Sequence, residues 1–295
     1  MIDIKNKIGW YFYRLQVMGF HEILYRIYKV FLNLFLKENT FNHLNIFDLS
    51  KLPFNSGFID NLSLEDAKYS EIIDEADNTL KYKIKIFNRY HQFDNPINFH
   101  LDFIDNKSWP KIKASRINYR SFQNLDPKYI WELNRHNFLI NLGLAYQITK
   151  NEKYSKMIID TISSWIDQNP FNIGINWTSC IELSIRQINW LYSIKLIQSS
   201  TLLSNEFLEK LSNNIFNQTN LVSKNLSLYS SANNHLISEC TILILSGNIF
   251  NKLSWVRKGK KYLEKEISNQ INNDGSSSEQ SNSYLLHTIE FYLLS

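Results

Sequence analysis

From Asp126 onward the chain is a relay of apolar-periodic segments joined by very short connectors, and that rhythm restricts the fold to packed helices. The spans 127–149, 152–168, 178–199, 204–223, 234–247, 254–272 and 279–295 each carry apolar residues at three- and four-residue spacing. Helices of that length with short loops must fold back on one another, so the reading is antiparallel helical hairpins, in a bundle or curved into a toroid. Only 8 Gly and 5 Pro in 295 residues exclude a turn-rich all-β protein. No short, strict repeat of solenoid type is present.

The first third is different. Ile4 to Leu36 reads as one or two helices, and Asn39 to Ser63 is irregular, with Pro53 and Gly57. A short helix is expected over 63–78, with Ser63 as N-cap and Glu65 and Asp66 in its first turn. Between Tyr82 and Pro110 the runs YKIKIF and INFHLDF alternate polar and apolar residues, which predicts short strands. The expected division is a helical and extended region over 1–115 packed on a helical domain over 116–295.

Met1 to Lys37 is aromatic and apolar but is interrupted by Arg14, His21, Glu22, Arg26 and Lys29. It lacks the unbroken apolar core and small-residue cleavage site of a secretion signal, and no stretch is apolar enough to cross a bilayer. It suits either a surface-lying amphipathic helix or packing on its own domain. By sequence the expected location is cytoplasmic. The formal charge of +4 is spread without a long basic run, so no nucleic-acid track is expected. Cys180 and Cys240 sit in helical patterns and are expected to be buried free thiols, with no disulfide or zinc framework. No cofactor or metal is implied.

Four polar clusters stand out against this background. In Asn233-Asn234-His235 with Glu239, one Asn is a natural N-cap, and Glu239, one turn after His235, is placed to orient its imidazole. A metal pair is disfavoured, because HExxH and a third ligand are missing. The stretch after Asp274-Gly275 carries Glu279, Gln280 and Tyr284, where a packed tyrosine is the default reading. In Trp131 to Asn137, Glu132 and His136 share a helix face with Arg135 between them. This is either a paired face or a grip for a carboxylate or sulfate, with Arg120 nearby. Finally Trp177 is a candidate sugar platform or a buried ring, and Glu182 and Arg186 have the spacing of an intrahelical ion pair.

Taken in order, the segments NYRSFQNLDPKYIWELNRHNFLINLGLAYQITKNEKY, WIDQNPFNIGINWTSCIELSIRQINWL, ANNHLISE and EKEISNQINNDGSSSEQSNSY resemble the heparinase II/III-like polysaccharide lyases over about residues 116 to 290. The resemblance implies a mainly α fold, an incomplete (α/α) toroid, followed in complete members by an antiparallel β-sandwich. Because YLLHTIEFYLLS stays apolar-periodic to Ser295, that β-domain is expected to be missing from this chain. The implied substrate is an anionic, uronic-acid-containing polysaccharide or oligosaccharide cleaved by β-elimination. The alternative is a non-catalytic or processing glycan-binding module of bacterial capsule or exopolysaccharide assembly, and periplasmic or cell-surface association goes with either. By motif match, Asn234 neutralises the substrate carboxylate with His235 beside it, and Tyr284 is the acid/base. Arg135, His136, Glu239, Trp177 and Arg120 form the substrate-binding wall. One departure is that Leu285 stands where the family commonly has His, and His287, two residues on, is expected to face elsewhere.

Overall fold

The computed structural model describes residues 9, 13, 16–35, 48–52, 66–122, 125–276, 278 and 281–295, with the side chains of residues 33–35, 49, 66, 67, 283 and 284 left aside. The expected cap Ser63 lies outside the described residues. Ten helices of eight or more residues occur among them: α1 (Phe20–Phe35), α2 (Asp66–Leu80), α3 (Pro127–Asn134), α4 (Phe138–Thr149), α5 (Glu152–Gln168), α6 (Cys180–Leu196), α7 (Asn205–Lys224), α8 (Asn234–Ile249), α9 (Leu253–Gln270) and α10 (Asn282–Leu293).

Helix starts follow local chemistry. Asp126 accepts from the Lys128 amide ahead of Pro127 at the first helical position, Asn151 accepts from Lys153, Ser204 from Phe207, and Asn233 from His235. Each side-chain oxygen satisfies an amide that has no partner within the helix. The expected single helix over 127–149 is instead two. His136 takes a left-handed φ of 60°, which breaks the helix between α3 and α4.

The even-numbered helices α2, α4, α6, α8 and α10 lie side by side in one layer, and α5, α7 and α9 back them in a second. This is the layered hairpin arrangement of an incomplete (α/α) toroid. α6 and α8 are covered on both sides and are buried almost end to end. The sequence therefore tolerates polar residues there only if they are small and locally bonded. Ser238 Oγ donates to the Asn234 carbonyl at 2.9 Å, and Thr241 Oγ1 to that of Ile237 at 3.0 Å.

The alternating segments form two antiparallel hairpins, β1 (Lys83–Ile86) with β2 (Arg89–Gln92) and β3 (Leu101–Asp102) with β4 (Lys107–Ser108). Ile84, Ile86, Phe99 and Trp109 from this part join Trp165 and Trp190 of the helical part in one continuous core.

Gly259 sets the spacing of α8 and α9. A Cβ there would stand 2.8 Å from the Cys240 carbonyl oxygen and 2.8 Å from Ile244 Cγ1. Gly259→Ala would gain up to about 1 kcal/mol of helix propensity, but the clash with backbone costs roughly 1–3 kcal/mol. The expected net effect is destabilisation, read as a lower urea midpoint with unchanged slope. A raised midpoint would mean the two helices can move apart freely.

Candidate functional site

At the corner between α3 and α4, Arg135 reaches across to the first turn of α6. Its Nε donates to Glu182 Oε2 at 2.7 Å and its Nη2 to Glu182 Oε1 at 2.8 Å. The planar fork of guanidinium and carboxylate makes this two-point contact directional. Nη1 donates to Glu132 Oε2 at 2.8 Å, and Asn137 Nδ2 holds the other Glu132 oxygen at 3.1 Å. Burial alone would lower the Arg135 pKa, yet the bonds to Glu182 and Glu132 outweigh it and hold it above the usual value. The cation is therefore permanent.

Two imidazoles feel this ion pair. His235 lies in the first turn of α8. Burial holds its pKa below the usual range, with Glu182 opposing and Arg135 assisting. His287, on α10, is pushed down to about 4 by burial and by the Arg135 charge, against the pull of Glu182, with His235 lowering it further. Its ring sits edge-on to Phe291 at 4.3 Å. Both are neutral at pH 7, so each keeps a lone pair to accept a proton and an N–H to donate.

His235 opens onto a cleft of about 430 Å³ whose lining includes Lys29, Tyr119, Arg120, Trp177 and Ser179. The N-termini of α6 and α8 both border it, so two positive helix ends add to the charges of Lys29 and Arg120. Lys29 Nζ is fixed by the carbonyls of Asn225 and Leu226 at 3.1 and 3.3 Å. A second cavity of about 580 Å³ is bounded by Arg135, Ile185, Tyr192, His287, Glu290 and Phe291. Such a site favours a polar, anionic ligand. Among the described residues no group of three or more His, Cys, Asp or Glu could hold a metal ion.

The cleft brings together three residues singled out from sequence: His235, Arg120 and Trp177. Trp177 is only 4% exposed and packs against Phe171 and Trp165, so it is a buried ring at the cleft wall rather than an open platform. Asn233 is the cap, which leaves Asn234 free of that duty. Asn234 is 6% exposed, and its amide makes no hydrogen bond among the described residues. The Tyr284 side chain lies outside the described residues. Its backbone belongs to α10, one turn before His287, and α10 packs on α8. Glu279 and Gln280 also lie outside them.

Other expectations are corrected. His136 is fully buried, accepting from Trp190 Nε1 on its Nδ1 at 2.8 Å among the rings of Phe99, Phe138 and Trp165. It cannot touch a saccharide. Glu239 is also fully buried, and it accepts from the Ser227 amide and hydroxyl at 2.6 and 2.7 Å rather than orienting His235. Burial pushes its carboxyl up to about 7. Its task is to hold the loop bordering the cleft. Arg186 does not pair with Glu182. It is buried over the Trp165 ring at 4.1 Å and donates to the Asn176 carbonyl and Gln218 Oε1. Both cysteines are free, Cys240 buried as expected and Cys180 half-buried at the cleft. His287 does not face elsewhere but lies within the field of Arg135 and His235. Counting from Leu285 turned it away, whereas residues three apart in a helix, as 284 and 287 are, are neighbours. Glu182 and Lys29 were missed because their partners lie 47 and nearly 200 residues away.

The profile of the heparinase II/III N-terminus family matches residues 36–294. The chain belongs to this family. A heparin-sulfate lyase of Bacteroides thetaiotaomicron is 27% identical over 204 residues, covering 66% of this chain and 29% of that protein. One from Bacteroides stercoris is 25% identical over 201 residues, covering 60% of this chain and 30% of its own length. The crystal structure of heparan sulfate lyase from Pedobacter heparinus superposes with a TM-score of 0.58 at 18% identity, over 92% of this chain and 38% of that one. A heparinase III structure gives 0.55 at 21% identity, over 92% and 37%. These structural likenesses concern the fold. The chain spans less than a third of the length of these two curated relatives.

The depressed His287 pKa has a consequence for acid stability. Between its unfolded value of 6.5 and its folded value of about 4, the unfolded chain binds a proton that the folded chain refuses. Stability therefore falls as pH drops through that window, by up to about 1.4 kcal/mol per pH unit for each such histidine. His287→Gln should flatten the slope of unfolding free energy against pH. An unchanged slope would show that the imidazole already protonates freely in the folded state.

Proposed function

We propose that this protein binds a uronic-acid-containing glycosaminoglycan of the heparan sulfate class and takes part in its cleavage by β-elimination. The observation that carries this reading is the cleft itself, where Lys29, Arg120 and two helix N-termini converge on a neutral imidazole, His235. The names of the relatives, heparin-sulfate lyases, support the substrate class.

The chemistry sets the roles. The C5 proton of a uronate is weakly acidic, because removing it adds charge beside an existing carboxylate. The Asn234 amide, buried and with no hydrogen bond among the described residues, is a donor for that carboxylate and stabilises the charge that develops there. A base then takes the C5 proton, the C4–O bond breaks as the C4–C5 double bond forms, and an acid protonates the departing oxygen. Tyr284 is assigned as that acid/base by its motif, and His235, neutral at pH 7, follows Asn234 in the first turn of α8. Arg120 and Lys29 hold carboxylate or sulfate groups along the chain of sugars. The Arg135–Glu182 pair fixes the electrostatic setting of the imidazoles.

Two measurements test this. Arg120→Ala should weaken binding of heparan sulfate oligosaccharides, followed by calorimetry, by roughly fivefold, the value of one exposed charge contact, without lowering thermal stability. Unchanged affinity would remove Arg120 from the binding wall. Incubation with heparan sulfate should raise ultraviolet absorbance through the 4,5-unsaturated uronate, and Tyr284→Phe should abolish that rise while binding persists, since only the hydroxyl that moves the proton is lost. Binding without any rise in the unsubstituted protein would favour the glycan-binding module instead.

A further inference from the structure

The first described helix is mounted the wrong way round for a globular protein. Phe20, Leu24, Ile27 and Tyr28 fall within an arc of roughly 100° on α1, and they are 69%, 48%, 48% and 51% exposed. The opposite, polar side faces the body. Tyr25 donates its hydroxyl to the Leu226 carbonyl at 2.6 Å, and Lys29 Nζ binds the carbonyls of Asn225 and Leu226. Glu22 accepts from Arg26 at 2.7 Å and from Ser230 at 2.6 Å. An ordinary surface helix buries its apolar stripe and shows water its charges. Here the polar contacts moor the helix and leave the stripe outward.

We infer that α1 is a membrane-docking element, which lays this stripe into an anionic lipid surface. Charge selects that occupant. Residues 1–37 hold six Lys and Arg (Lys5, Lys7, Arg14, Arg26, Lys29 and Lys37) against Asp3 and Glu22, a net +4 equal to that of the whole chain. Over residues 38–295 the count is 26 against 26. In the sequence, the entire excess of positive charge thus falls in the segment that carries the outward apolar stripe, a composition suited to a helix lying in the interface of an acidic bilayer. A second copy of this chain would bring two +4 segments together, which like-charge repulsion opposes.

The helix lies on the bilayer and does not cross it. Its 16 residues span about 24 Å, short of the roughly 30 Å hydrocarbon core, and Glu22, Arg26 and Lys29 interrupt it. None of the described helices is long and apolar enough to cross a membrane. Among the described residues, the hydrogen bonds that hold α1 to the body are on its other side, so inserting the stripe leaves them in place. Since Lys29 also borders the cleft, docking holds the cleft close to the lipid surface.

Co-sedimentation of the whole protein with vesicles tests this. Vesicles of equal parts phosphatidylglycerol and phosphatidylcholine should capture it, and pure phosphatidylcholine vesicles should capture at least about tenfold less, as expected if charge attraction is required. The double variant Leu24→Gln, Ile27→Gln should lose about tenfold or more in affinity for the anionic vesicles at an unchanged melting temperature, because only exposed side chains change. The matched variant Leu286→Gln, Ile289→Gln, on the exposed side of α10, should bind as the unsubstituted protein does. The inference is overturned by any of three results: no capture by anionic vesicles, equal capture by both lipids, or no difference between the two double variants. A concentration-dependent dimer in ultracentrifugation that the α1 substitutions dissolve would also overturn it, by assigning the stripe to a second copy.

Discussion

The two-point contact between Arg135 and Glu182 is the interaction on which the site depends. It ties the corner between α3 and α4 to the start of α6 and leaves a fixed cation and anion beside two half-buried imidazoles. A pair so placed is a poor source of stability, because removing both charges from water offsets most of their attraction. Its value is positional. Arg135 occupies that corner only because the helix breaks at His136, whose left-handed backbone is anchored by the Trp190 indole. A residue singled out as a sugar contact is thus the pivot that carries Arg135 to Glu182.

Beneath the cleft wall lies a buried polar lattice that joins parts distant in sequence. Trp165 Nε1 donates to Asn134 Oδ1 at 2.6 Å, and Asn134 Nδ2 donates to the Ile130 carbonyl at 2.7 Å. Asn176 Nδ2 donates to the Phe99 carbonyl at 2.9 Å and to Asn169 Oδ1 at 2.8 Å. Arg186 adds bonds to Asn176 and Gln218 and lies on Trp165. Each of these bonds is costly to lose in such surroundings, so the lattice favours one arrangement of strands, corner and helices, although Asn176 Oδ1 and Arg186 Nε and Nη1 have no partner among the described residues. It holds Trp177 and the start of α6 in place against the cleft.

Helix existence was readable because it rests on local rules. The caps Asp126, Asn151, Ser204 and Asn233 act within three residues of themselves, and the three- to four-residue apolar spacing needs no knowledge of partners. The site was readable only in part. His235 and Arg120 border the cleft, whereas His136 and Glu239 have equally suggestive spacing and are buried. Spacing tells which residues share a helix face. It does not tell whether that face meets solvent or another helix, and Glu239 finds Ser227 rather than His235 for that reason.

The amino-acid order alone determined that this chain makes helical hairpins and placed its polar clusters near helix starts, since both follow from interactions within a turn or two. Only the tertiary structure decided which charges meet. Glu182 had Arg186 one turn away in its own helix, yet it bonds Arg135 from another, because packing carries Arg186 into the core over Trp165 and turns Glu182 toward the corner. The orientation of α1, apolar side out, was likewise set by what its polar residues found on the body, a matter of long-range contact that no local pattern encodes.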